Sequence, residues 1–347
     1  MQNKKFRFEI LGATGLVGKE MIRVLEESSI PVEELRLWAS DRSAGEKLSF
    51  RGQSLTIEAL EPSAFLGGRA HFSLYATSAN LSAEYAPMAA SRGAICIDNS
   101  SHFRMNPDVP LVVPEVNPEA IHVGLKNGII ANPNCSTIQL VVCLKPIHDH
   151  ARLRRVIVSS YQSVSGAGAD AIKEFEEQAK LAVNGQTYEA KVFSKKIAFN
   201  CIPHIDVFQT NGMTKEEMKI IQESRKILSA PDLRITATAV RVPVKVGHAE
   251  SVNIETEKSL SVSELQDLLN KAPGVIVMDK PSELIYPTPQ ESAGKNEVFV
   301  GRIRIDESAP NSMHLWVVAD NLRKGAATNA VQIAEYCIAH SLSRRND

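Results

Sequence analysis

Residues 6–25, FRFEILGATGLVGKEMIRVL, leave this chain few ways to fold. Phe6 to Leu11 has the length and β-forming content of a strand, and it runs directly into Gly12-Ala13-Thr14-Gly15-Leu16-Val17-Gly18. Val17, Met21, Ile22 and Leu25 then repeat at helical spacing, so the stretch predicts a strand, a glycine turn and a helix. In that context the glycines let the backbone approach a pyrophosphate, and the helix N-terminus faces its charge. The spacing is GxxGxxG and not GxGxxG, and a tight βα turn is the plain alternative, but the flanking elements favour a dinucleotide. The acidic Glu9 has no explanation at this level.

A second strand, Leu35 to Ala39, ends in Ser40-Asp41-Arg42-Ser43-Ala44-Gly45. An acidic residue here takes the ribose diol of NAD, whereas an arginine accommodates the 2′-phosphate of NADP. Arg42 with Ser43 offers a charged fork and a hydroxyl, which favours NADP, with Asp41 as the counter-argument. A hairpin (47–59), a strand (71–77), a helix (82–91) and a strand (94–98) follow, an alternation that predicts a doubly wound, mostly parallel sheet of Rossmann type through about residue 130. Asn99-Ser100-Ser101-His102-Phe103-Arg104 sits at the carboxyl end of the last of these strands, where such sheets bind ligands; Arg104 there is either an anion clamp or an exposed salt-bridging arginine.

The next informative stretch is 128–148, GIIANPNCSTIQLVVCLKPIH. Pro133 pushes Asn132 into an extended conformation, and Asn134, Ser136 and Thr137 favour a helix start, so Cys135 is expected in or beside a first helical turn. Free amides and the positive end of the helix dipole there favour an anion, an environment that brings a thiol pKa to within roughly 3.5–7.5. The same amides suit an oxyanion formed on attack at an acyl carbon. Cys135 is therefore the candidate nucleophile, with a buried small hydrophobe as the alternative.

Beyond this helix the pattern becomes strand-rich (154–162, 235–246, 250–256, 297–305 and 313–319), which predicts a largely antiparallel sheet in an α+β second domain. The final segment, 325–340, is again helical and is expected to return to the first domain. The division expected is 1–130 plus 324–347 for the cofactor domain and 131–323 for the second. In the latter, Tyr161 to Gly168 closes a strand in a glycine-rich turn, Arg241 lies in a long β-like run, and His248 is an acid/base candidate because an imidazole titrates near neutrality. His148, Asp149 and His150 sit at a helix end with no further ligand cluster, so no metal site is expected.

Composition narrows the function classes. Lys plus Arg (39) nearly cancels Asp plus Glu (40) without a dense basic run, which points away from nucleic acid and anionic membrane and towards a small-molecule substrate. Five scattered cysteines without a CxxC pair suit reduced thiols in a cytoplasm. The basic opening MQNKKFRFEIL lacks the uninterrupted apolar run of a signal peptide, and no stretch has the length of a membrane span.

Several ordered motifs together resemble the aspartate-β-semialdehyde dehydrogenase family: GATGLVG at 12–18, SDRSAG at 40–45, NSSHFR at 99–104, NPNCSTIQ at 132–139, SYQSVSGAG at 160–168, EEMK at 216–219, RVPV at 241–244, GHAES at 247–251, YPTP at 286–289 and GAATNA at 325–330. The resemblance covers nearly the whole chain. It implies a Rossmann-type cofactor domain, a catalytic and dimerisation domain, and a homodimer. The implied reaction is the NADPH-dependent reductive dephosphorylation of L-4-aspartyl phosphate to L-aspartate 4-semialdehyde, reversible, on the route to lysine through diaminopimelate, threonine, methionine and isoleucine.

The resemblance also assigns roles. Cys135 forms the thioester, His248 takes and shuttles its proton, and Gln162 orients the reacting centre. Arg241 binds the α-carboxylate, Glu216 pairs with the α-ammonium, and Arg104, Asn134 and Lys219 bind phosphate. Gly12, Thr14, Gly15, Leu16, Val17, Gly18, Ser40, Arg42, Ser43, Ser165, Gly166 and Asn321 hold the cofactor. Two positions depart from the family pattern: Asn321 stands where a longer glutamine is usual, and Glu9 lies in a strand that is usually more apolar. The nearest rival is N-acetyl-glutamyl-phosphate reductase, whose acylated substrate gives Glu216 no ammonium to bind and whose cysteine motif usually reads Gly-Cys-Tyr. A rival of another class is a catalytically silent nucleotide-binding relative.

Overall fold

The computed structural model describes residues 4–62 and 69–344. The chain divides into two compact units, Met1–Asn134 with Ala326–Asp347, and Cys135–Gly325. Both junctions fall within a few residues of chemically informative positions, the first immediately before Cys135.

The first unit contains β1 (Phe6–Leu11), α1 (Leu16–Glu27), β2 (Val32–Ala39), β3 (Lys47–Phe50), β4 (Gln53–Ala59), β5 (Phe72–Tyr75), α2 (Ala79–Ser91), β6 (Ile95–Asp98), α3 (Ile121–Asn127) and β7 (Ile129–Ala131). Its sheet runs β3-β4-β2-β1-β5-β6-β7, parallel throughout except for the β3–β4 hairpin. With the hairpin strand set aside, this is the 3-2-1-4-5-6 order of a dinucleotide fold, whose ligand crevice opens at the carboxyl ends of the strands where the order reverses. The reversal lies between β1 and β5, beside the glycine turn.

Burial explains the periodicity read in the sequence. Phe8, Ile10, Leu37, Ile57, Leu74 and Ile97 form one core with Met21 and Leu25 of α1. Ala330, Val331, Ile333, Ala334 and Cys337 of the closing helix, Thr328–Ala339, join the same core. Glu9 is buried in this sheet, where its carboxylate accepts from Trp38 Nε1 at 3.4 Å. Burial raises its pKa, and Ser73 and Trp38 only partly offset that.

The second unit contains α4 (Cys135–Ala151), β8 (Leu153–Gln162), α5 (Ala169–Val183), α6 (Lys215–Ile227), β9 (Arg234–Arg241), β10 (His248–Thr256), α7 (Val262–Asn270), β11 (Val275–Val277), α8 (Pro289–Ser292), β12 (Val298–Ile305) and β13 (Ser312–Ala319). The strand order is β11-β12-β13-β10-β8-β9. Its middle is antiparallel, as the sequence suggested, but β8–β9 and β11–β12 are parallel, so the sheet is mixed. The chain leaves β8 and comes back to β9 through α5 and α6, and a crossover of that kind returns a strand in the same direction. β9 stops at Arg241 and does not continue to Val246, because Pro243 has no N–H to give to a ladder.

α4 packs against β8, β10, β12 and β13. Alternation then puts His248, Glu250, Val252 and Ile254 of β10 on one buried face, with Ser160 and Val158 of β8 as the register partners of Glu250 and Val252. The sheet therefore presents its polar strand ends beside the start of α4 and its apolar residues beneath the rest.

Candidate active site

Cys135 is the first residue of α4 and is partly exposed. Gln162 ends β8, Arg241 ends β9, His248 opens β10, and Gln162 and Arg241 are direct register partners. Glu216 lies in the first turn of α6, whose cap, Thr214, accepts from the Glu217 amide while Glu217 bonds back to the Thr214 amide. That box and a third bond, from the Ala239 amide, occupy Glu217. Glu216 is thereby the carboxylate that meets the strand ends, accepting from Gln162 Nε2 at 3.2 Å.

Four of the residues singled out in the sequence, Gln162, Glu216, Arg241 and His248, come together here in one buried cluster. Arg241, 5% exposed, donates to the Ser163 carbonyl at 2.7 Å. Burial lowers its pKa from the usual range, and its electrostatic coupling to Glu216 and to Cys135 counters that only in part. Lys219 donates to Glu216 at 3.1 Å and to Asp206 at 2.8 Å. Burial works against this ammonium, but the two carboxylates outweigh it and raise its pKa. Of the other expected phosphate ligands, Arg104 and Asn134 belong to the first unit, where Arg104 is buried and donates to the carbonyls of Asn132 and Asn99.

A side chain would press on this cluster at two glycine positions. A Cβ on Gly166 would stand 2.8 Å from Arg241 Nη1 and 3.2 Å from His248 Nε2. One on Gly325 would stand 2.8 Å from Cys135 Cβ. Gly325 was missed in the sequence as a site residue, although it opens the motif GAATNA; nothing in a linear reading puts it against residue 135.

His248 differs from its sequence expectation. It is fully buried, and burial together with the neighbouring Arg241 holds its pKa down to about 3, far from neutrality. Nδ1 accepts from the Ser163 amide at 3.1 Å, and Nε2 has no hydrogen-bond partner among the described residues.

Asn321, expected to touch the cofactor, is held by the protein itself. Its Oδ1 accepts from Ser163 Oγ (3.0 Å), Ser165 Oγ (3.2 Å) and the Gly247 amide (2.9 Å). Ser165 and Gly166 lie in the turn that Asn321 braces.

One layer below lies a group the sequence did not flag. Glu250 is wholly buried, and its pKa is raised well above the ordinary carboxylate value by burial, which Gln139 on α4 counters only in part. Gln139 stands one helical turn beyond Cys135. The folded state thus holds a proton that the unfolded chain releases above about pH 4.3, so stability falls as pH rises from there through the folded-state pKa. Glu250→Gln keeps the shape without the acid. Its melting temperature is expected to match the parent near pH 4 and to exceed it increasingly from pH 5 to 8; parallel curves across that range would show Glu250 ionised.

The glycine turn of the first unit fits a dinucleotide. Gly12 has φ +80°, and a Cβ there would collide with the Ala76 carbonyl, as one on Gly18 would with that of Gly12. Gly15 caps α1 without a side-chain bond, which leaves the start of that helix suited to an anion. Ser40, Asp41 and Arg42 are exposed just beyond β2, and Ser43 is half-buried, with Asp41–Ser43 forming a single 3-10 turn.

Residues 7–123 match the family model for the semialdehyde dehydrogenase NAD binding domain, and residues 144–324 match that for the semialdehyde dehydrogenase dimerisation domain. An aspartate-semialdehyde dehydrogenase of Aquifex aeolicus is 52% identical over 97% of this chain and 99% of its own. Among solved structures, aspartate semialdehyde dehydrogenase II of Vibrio cholerae complexed with ASA superposes with a TM-score of 0.94 at 47% identity, over 97% of this chain and 99% of that one. The aspartate semialdehyde dehydrogenase of Candida albicans, solved with NADP, gives 0.77 at 25% identity, over 98% of this chain and 100% of that one.

Proposed function

The chain belongs to the semialdehyde dehydrogenase family, and from that premise we propose that it interconverts L-4-aspartyl phosphate and L-aspartate 4-semialdehyde through an acyl-thioester on Cys135. The observation that carries the reading is the buried cluster of Gln162, Glu216, Arg241 and His248 beside the start of α4. It joins a nucleophile to a carboxylate-binding guanidinium and an ammonium-binding carboxylate, the two charges an α-amino acid presents.

In the reductive direction the sulfur attacks the acyl phosphate, phosphate leaves, and a thioester remains. Arg241 holds the α-carboxylate and Glu216 the α-ammonium, which places the side-chain carbonyl in a fixed relation to the sulfur. Gln162, tied to Glu216, orients the reacting carbonyl, and Lys219, Arg104 and Asn134 are assigned to phosphate. When bound, the nicotinamide supplies the hydride that turns the thioester into aldehyde. Gly12, Thr14, Gly15, Leu16, Val17 and Gly18 hold the dinucleotide at the α1 N-terminus, and Ser165, Gly166 and Asn321 line its nicotinamide end.

We read the cofactor as NADP, since Arg42 with Ser40 and Ser43 offers a guanidinium and two hydroxyls for a 2′-phosphate at the end of β2. The match to a dimerisation domain supports a homodimer. Among the described residues no helix is long and apolar enough to cross a membrane.

A buried Glu216 also argues against N-acetyl-glutamyl phosphate as substrate, because an acylated amine carries no positive charge for it to bind. The test is reduced-nicotinamide absorbance with aspartate semialdehyde or N-acetyl-glutamate semialdehyde, with and without phosphate or arsenate. Phosphate-dependent turnover of aspartate semialdehyde with NADP is expected. Turnover indifferent to phosphate, or a preference for the acetylated substrate, would overturn the assignment.

A further inference from the structure

Ser163 belongs to no role assigned so far, yet it is the residue that faces the back of the His248 ring. It presents Nδ1 with two groups of opposite kind at the same distance: its backbone N–H donates to Nδ1 at 3.1 Å, and its Oγ stands 3.1 Å from the same nitrogen. Ser163 Oγ has its own acceptors for the hydroxyl proton, Asn321 Oδ1 at 3.0 Å and Ser165 Oγ at 3.0 Å. With its proton directed there, Oγ turns a lone pair to the ring. Ser163, Ser165, Asn321 and His248 are all buried, and the opposite edge of the ring lies against Gly166.

We infer that Ser163, braced by Asn321, is a positioning residue that lets His248 move its ring proton between Nδ1 and Nε2 without turning. With Nδ1 bare, the ring takes the Ser163 amide and Nε2 carries the proton. With Nδ1 protonated, the ring gives up the Ser163 amide and donates to Ser163 Oγ instead, and Nε2 is free to accept. An ordinary buried histidine has a partner for one of these states only.

The reaction proposed above, on which this inference rests, uses both. As the Cys135 sulfur bonds to the acyl carbon, its proton passes to bare Nε2, and the ring, briefly cationic, keeps Nδ1–H on Ser163 Oγ. As the bond from that carbon to the phosphate oxygen breaks, Nε2 returns the proton to the departing oxygen. Atoms and charge balance with no oxidant or reductant in this half. In the second half, Nε2–H supports the oxyanion until the thiolate leaves. The charged groups acting on the ring are Arg241, which disfavours the cation, and Glu216, which favours it, so the cationic state is short-lived.

The experiment uses the full-length enzyme labelled with 15N-histidine. Long-range 1H–15N spectra report which ring nitrogen is protonated, and the His248 signals are assigned by their loss in His248→Gln. In the parent, ring shifts of a tautomer mixture are expected between pH 6 and 9. Ser163→Ala keeps the amide but removes Oγ, so it is expected to lock the Nε2–H form and lower kcat by roughly 10–100-fold with KM little changed. Ser163→Thr restores the oxygen and is expected to recover both. A parent ring fixed in one tautomer throughout, or Ser163→Ala with parental kcat, overturns the inference. The ring spectra need no turnover, so a failure of the functional reading is seen separately in the assay.

Discussion

Cys135→Ala is expected to lower phosphate-dependent turnover of aspartate semialdehyde by on the order of 10⁴-fold or more, while cofactor binding and melting temperature stay close to the parent. The magnitude follows from the role proposed for the residue: with no sulfur there is no acyl intermediate, and the remaining groups can only bind and orient. The location argues for selectivity too, since Cys135 is partly exposed at the first position of α4 and its removal empties little of the core. A rapid-quench search for a covalent acyl-enzyme gives the direct check: the parent accumulates one and Cys135→Ala does not. Turnover within tenfold of the parent would end the thioester mechanism. Gly325→Ala serves as a companion, because it leaves the thiol in place and presses a methyl group 2.8 Å from Cys135 Cβ. It is expected to lose activity through displaced sulfur, with the thiol still open to alkylation.

Arg241→Leu carries the second large effect. The guanidinium is buried, it holds the Ser163 carbonyl, and it sits in the field of Glu216. Removing one member of a buried charge group costs about 3–5 kcal/mol, which corresponds to roughly 10²–10³ or more in kcat/KM when the loss falls on the bound substrate. The effect is expected chiefly in KM for substrates that carry the α-carboxylate, and Arg241→Lys is expected to recover little, since an ammonium lacks the planar fork. Arg241 is also one of the causes that hold the His248 pKa low, so its loss is expected to move that pKa upward from about 3 and to bring an ionisation into the pH profile. A variant with parental KM would show that the carboxylate is bound elsewhere.

Local pattern was enough for much of this protein. The strand, glycine turn and helix at the start read directly, because each depends on near neighbours: length and β-forming content for β1, a glycine turn at Gly12, and helical spacing through Leu25. Cys135 at a helix start was legible for the same reason, from Pro133 and the capping residues around it. In the second unit, where strands stopped and which pairs ran parallel was not legible; β9 ended five residues early and joined β8 in parallel because of a proline and a crossover.

The sequence by itself determined the chemistry available to this chain: a thiol on a helix start, a glycine turn for a pyrophosphate, and charges of both signs for an amino-acid substrate. Each of those rests on contacts within a few residues, which a linear reading captures. Tertiary structure alone decided how the groups behave. Ser163 meets His248 across 85 positions and Asn321 across 158, and Gly325 meets Cys135 from the other end of the second unit. It likewise buried His248 and Glu250, driving one pKa down and the other up. Desolvation and hydrogen bonding act through space, so the same imidazole and carboxyl that look ordinary in a string of letters take their working states only when the sheet and α4 close over them.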